Sequence, residues 1–104
     1  MSPLRRWLIG LAALWALAGC GGERPAERAP ETETQRAQAL IEAGNQAYGR
    51  GDYRLAARRY AAAAVVKEDD PAAYYGMGMA LQKLGRDEEA RAAYARSREL
   101  MKKR

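Results

Sequence analysis

The second half of this chain repeats the first, and that constrains its fold more than any other feature. A shift of 34 residues aligns Gly44 with Gly78, Gly51 with Gly85, Ala56 with Ala90 and Tyr60 with Tyr94, without a gap. Larger apolar positions keep the same register: Leu40 with Tyr74, Ala47 with Leu81, Val66 with Leu100. A unit of this length cannot bury its own apolar face, so neighbouring units must stack to make a core. Residues 37–104 hold two such units. Three or more are usual for an independent stack, so the pair is expected to be marginally stable as a monomer and to gain from self-association or a bound partner.

Each unit reads as two helices around a glycine turn. Thr32 and Gln35 have the spacing of a capping box, and the helix after them places Leu40, Ala43, Gly44, Ala47 and Tyr48 on one stripe before Gly49-Arg50-Gly51 stops it. Asp52 is placed to cap a second helix from Tyr53 to Val66, and Lys67-Glu68-Asp69-Asp70 separates the units. Asp70-Pro71 is a start signal for a third helix ending near Leu84 and Gly85. The fourth opens with Asp87-Glu88-Glu89 and closes with Lys102-Lys103-Arg104, both charge groups suiting the helix dipole. Helix two is apolar nearly all round from Leu55 to Val66, as expected of a helix buried between its partner and the next unit. Helix four carries Ala90, Ala93, Tyr94, Ser97, Leu100 and Met101 on one stripe and Arg91, Arg96, Arg98, Glu99 and Lys102 opposite, the pattern of a terminal helix facing water.

The repeat resembles the tetratricopeptide repeat. Leu40-x2-Ala43-Gly44-x2-Ala47 and Tyr74-x2-Met77-Gly78-x2-Leu81 follow that family's first-helix pattern, and Ala56-x3-Tyr60 and Ala90-x3-Tyr94 its second-helix pattern. The resemblance implies an all-α fold of two helix-turn-helix hairpins, a short α-solenoid, with unit boundaries at 35–70 and 71–104. Alanine at Ala43 and Ala47, where larger residues are usual, predicts a looser first unit, and the repeat-closing proline is displaced to Pro71.

In that family the first helices line a concave groove that holds an extended peptide or a partner helix. The matching positions are Gln38, Ile41, Glu42, Asn45, Tyr48 and Gly49 in one unit and Tyr75, Gly76, Met79, Gln82 and Lys83 in the next. The peptide-groove candidates drawn from them are Glu42, Asn45, Tyr48, Tyr75, Met79, Gln82 and Lys83. Asn45 matches an asparagine that bonds peptide backbone in the family. The carboxylate-clamp variant is not matched, because Ile41 and Gly76 stand where a cation and an asparagine belong. Tyr48 and Tyr75 have the spacing of groove anchors and equally that of core residues. Arg54, Arg58 and Arg59 read as a solvated outer face, with lipid headgroups as the alternative ligand.

The amino terminus reads as an address. Arg5-Arg6, the apolar run from Trp7 to Ala18 and then Leu17-Ala18-Gly19-Cys20 resemble a bacterial lipoprotein signal with its lipobox. The apolar run is too short to span a bilayer, which takes about 20 residues. The resemblance implies cleavage of residues 1–19, covalent diacylglycerol and an acyl chain on Cys20, and stable attachment to a membrane surface. An ordinary signal peptide is the alternative. Arg5-Arg6 faintly resembles a twin-arginine export signal, so the export route stays open. Residues 20–34, with Pro25 and Pro30 and, before the first helix, no aliphatic residue larger than alanine, read as the lipidated cysteine and a flexible tether. The expected place is the cell envelope, and Gly21 in place of an inner-membrane-retaining aspartate favours an outer membrane facing the periplasm.

The net charge of +5 falls to +3 once Arg5 and Arg6 are cleaved away, which removes the case for nucleic acid as a partner. With no histidine and one cysteine, the usual parts of zinc sites and Ser-His or Cys-His nucleophiles are missing. Asp69-Asp70 and Asp87-Glu88-Glu89 sit at helix starts, where capping explains them. No catalytic residue, no metal ligand and no cofactor beyond the lipid on Cys20 is expected. The expected function is a membrane-anchored adaptor or scaffold that holds another envelope protein, in secretion, pilus or peptidoglycan-related assembly. The alternative is a structural lipoprotein that self-associates and has no dedicated client.

Overall fold

The structure is a computed structural model in which residues 31–104 are described, and these form four α-helices with no strand among the described residues. They are α1 (Glu33–Gly49), α2 (Tyr53–Val66), α3 (Pro71–Lys83) and α4 (Asp87–Lys102). The stretches expected to be leader and tether, with Cys20, lie outside the described residues as far as residue 30. None of the described helices is long and apolar enough to cross a membrane.

Local chemistry sets the helix ends. The Gln35 N–H donates to Thr32 Oγ1 at 3.1 Å and the Thr32 N–H donates to Gln35 Oε1 at 2.9 Å, a complete capping box. Because that box starts α1 at Glu33, the helix claims the last residues of the stretch assigned to the tether. Asp52 accepts from the Leu55 N–H at 3.2 Å, and Asp70 from the Ala72 N–H at 3.0 Å with Pro71 in the first turn. Both hairpin turns are the same motif. The Asp52 N–H donates to the Ala47 carbonyl and the Gly51 N–H to that of Tyr48, and Arg86 and Gly85 donate likewise to Leu81 and Gln82. This paired 6→1 and 5→2 bonding needs a left-handed residue, which Gly51 (φ 80°) and Gly85 (φ 77°) supply.

α1 pairs with α2, α3 with α4, and α3 packs on both helices of the first hairpin. At the centre lies Tyr60, 1% exposed, within a shell of Ala47, Ala56, Ala63, Ala73, Ala80 and Ile41. A core of alanines works because the helices approach closely. A Cβ on Gly44 would stand 2.7 Å from Tyr60 Cε1, and one on Gly76 would overlap the same ring from the other side. The second unit repeats half of this arrangement, Gly78 lying against the Tyr94 ring. Buried Ser97 ties α4 to the start of α3, its hydroxyl donating to the Pro71 carbonyl at 2.9 Å.

Three sequence expectations are corrected. The first unit is the better covered of the two: Tyr60 is buried while Tyr94 is half-buried, since α3 stacks on the first hairpin and no described helix stacks likewise on the second. α2 is not enclosed all round, because packing against α1 and α3 leaves an outer face where Val65 is 79% exposed beside Arg58 and Arg54. Met101, placed on the buried stripe of α4, is 63% exposed beside buried Leu100, on a face of α4 that no described helix covers.

Candidate functional site

The groove candidates fall on α1 and α3. Glu42, Asn45, Gln82 and Lys83 are exposed, Tyr48 and Met79 are half-buried, and Tyr75 is 53% exposed. Ile41 and Gly76, the two positions a carboxylate clamp would need, are both buried. Ile41 belongs to the core cluster around Tyr60 and Gly76 lies under its ring, so neither faces a ligand.

Two tyrosine-centred clusters organise the rest. In the first, Tyr48 meets Tyr53 edge-on with centroids 5.1 Å apart, and the Lys83 ammonium lies 5.9 Å from the Tyr53 centroid. Lys83 of α3 therefore reaches back to the first residue of α2 and joins the two units on this side. Close by, the Tyr60 hydroxyl donates to Asn45 Oδ1 at 2.5 Å. With its carbonyl oxygen so engaged, Asn45 keeps its amide N–H groups for another acceptor. In the second cluster Tyr75 meets Tyr94 edge-on at 5.4 Å, and the Tyr94 hydroxyl donates to Gln82 Oε1 at 3.1 Å. Gln82 is left with the same free donors as Asn45.

Burial raises the Tyr60 phenol above the ordinary range, and the neighbouring Tyr48 raises it further. The Tyr94 phenol is raised too, first by burial and then by Tyr75 and Tyr48. These hydroxyls stay protonated and act as donors near neutral pH. Met79 adds a pliable apolar surface and Glu42 a carboxylate to a face whose other polar groups are donors. Such a face suits a polypeptide backbone, whose carbonyls take the amide donors while apolar side chains rest on tyrosine and methionine.

Sequence reasoning misses Tyr53, which opens α2 directly after its cap and so carries no periodic signal. It also misses the two hydroxyl bonds. The available signal is the choice of tyrosine at Tyr60 and Tyr94 in a chain without phenylalanine, since a buried phenol normally finds a partner.

Residues 71–104 match the tetratricopeptide repeat family model. No curated protein and no solved structure matches the chain. The described part of the chain is thus an all-α pair of tetratricopeptide-like hairpins, the second of which matches a repeat family whose units typically serve protein–protein interaction.

Proposed function

We propose that this protein is a membrane-anchored adaptor of the bacterial cell envelope, held by lipid on Cys20, that binds a segment of another envelope protein across the first helices of its two units. The observation that carries the binding half is the row of free donors and apolar or aromatic faces at Asn45, Tyr48, Met79, Gln82 and Lys83, on two helices that pack against each other. The anchoring half is supported by the Leu17-Ala18-Gly19-Cys20 lipobox behind a charged start and a short apolar run. Lipid on one cysteine with more than one acyl chain holds a protein at a membrane stably.

Two measurements test the halves separately. Labelled fatty acid should enter the native protein and not a Cys20→Ala variant, and the variant should leave the membrane fraction. Capture from envelope extracts with the native chain and with a Tyr48→Ala/Met79→Ala double variant should give different partners. Identical sets would refute the assigned face.

A further inference from the structure

The two hairpins repeat in sequence, yet equivalent positions differ sharply in exposure at one end. Ile41 is 6% exposed and its counterpart Tyr75 is 53% exposed. Ala64 is buried and its counterpart Arg98 exposed, and beside it buried Ser97 lines an apolar depression of about 440 Å³ together with Pro71, Ala72, Tyr75, Met101 and Arg104. On the first hairpin α3 covers the equivalent surface. The depression is therefore the seat that α3 fills on the first unit, left open on the second among the described residues.

The internal interface specifies what would fit. α3 can lie on Tyr60 only because Gly76 has no side chain, with Ala73 and Ala80 buried one turn to either side. An occupant of the open seat must likewise carry small residues at this spacing to pass under Tyr94. α3 is also preceded by Glu68-Asp69-Asp70. Since α3 runs back along α2, an equivalent helix would bring its amino terminus to the end of α4. There Arg98, Lys102, Lys103 and Arg104 form no ion pair among the described residues. Arg98 and Arg104 stand where the first unit has Ala64 and Asp70.

A second copy of this chain, stacked in the same register, does not meet these requirements. Its α1 would present Glu42 where Gly76 is needed and Gln46 in place of Ala80. The Glu42 side chain would collide with the Tyr94 ring as a Cβ on Gly76 would with Tyr60.

We propose that the open face formed by Tyr75, Ser97 and Met101 receives one helix of a partner protein, amphipathic, with a stripe of glycine or alanine and an acidic amino terminus directed at Arg98, Lys102 and Arg104. The proposal rests on the protein-binding reading above and adds a second surface to it, to which Tyr75, a groove candidate by its repeat position, belongs through its place beside Ser97 and Met101.

The test uses the full chain in detergent micelles and, as probe, a fluorescent peptide with the sequence of residues 68–86. Fluorescence polarisation should show saturable binding that weakens with salt. Tyr75→Glu and Met101→Glu, both at exposed positions, should each raise the dissociation constant about tenfold or more. A Gly76→Leu change in the peptide should abolish binding, and Val65→Glu in the protein should leave it intact. The Tyr48→Ala/Met79→Ala variant should still bind, which separates this seat from the groove. Absence of saturable binding, or binding indifferent to Tyr75→Glu and Met101→Glu, would overturn the proposal. So would self-association broken by Tyr75→Glu without peptide binding, which would give the face to a second copy.

Discussion

The Tyr60 ring lies where a side chain at Gly76 would have to go. That contact joins the two units: the ring is anchored on one side by Gly44 of its own hairpin and held at its tip by Asn45. Close approach of α3 thus depends on one missing Cβ.

Gly76→Ala should lower stability by about 1–3 kcal/mol, the usual range for overpacking. Alanine is the better helix former by about 1 kcal/mol, so the steric cost exceeds any net loss by about that amount. Gly49→Ala is the matched control, because a Cβ there meets nothing within 4 Å. It should be neutral or stabilising by up to about 1 kcal/mol. Urea unfolding followed by helical circular dichroism would read both. A Gly76→Ala midpoint raised as far as that of Gly49→Ala would refute the close-packing account.

Stability should fall as the solution becomes alkaline. The Tyr60 phenol is raised above 10.0 chiefly by burial. Above pH 10 the unfolded chain therefore releases a proton that the folded chain retains, and unfolding is favoured. The contribution is complete below pH 10 and disappears as pH rises through the higher folded value. Tyr60 should titrate above pH 10 in an ultraviolet difference titration, read as the absorbance change lost in Tyr60→Phe, and that variant should also lose part of the alkaline destabilisation. A Tyr60 phenol that titrates at or below pH 10 would contradict it.

At Gly85 a Cβ would meet nothing within 4 Å, yet φ is +77°. Gly85→Ala should therefore cost about 1–2 kcal/mol through backbone strain alone. Asparagine tolerates the left-handed region better, so Gly85→Asn should cost less. Thermal unfolding of the pair would decide: equal losses would point to some cause other than backbone conformation.

Why these turns and caps are legible in the sequence while parts of the surface are not follows from how far each signal reaches along the chain. Thr32, Asp52 and Asp70 bond to backbone two or three residues away, so the residue types nearby contain the whole interaction. Gly51 and Gly85 close turns on carbonyls three to five residues back. Ile41 and Tyr75 hold the same place in the repeat, yet one is core and the other surface. The difference is made by α3, which is distant in sequence from α1. Periodicity likewise marks the stripe on α4 but not where coverage ends, which is why Met101 carries a core pattern at an exposed position. Among the groove candidates, exposure follows the repeat register at Glu42, Asn45, Gln82 and Lys83. The pairing of Asn45 with Tyr60 and of Gln82 with Tyr94 requires the fold.

The groove residues should separate binding from stability. Lys83 is exposed, and its ammonium lies 5.9 Å from the Tyr53 ring centroid. An exposed cation–π contact contributes about 0.5–1 kcal/mol, so Lys83→Met should shift the unfolding midpoint only slightly. Asn45→Ala removes the acceptor for a part-buried phenol and should cost more, about 1–3 kcal/mol, the range for an orphaned buried donor. If the α1–α3 face binds a polypeptide backbone, Lys83→Met should weaken partner capture while leaving the fold intact. For Asn45→Ala, capture should fall even at temperatures well below its lowered midpoint. Partner recovery that tracks only the fraction folded would remove these two residues from the binding face and leave them a structural role.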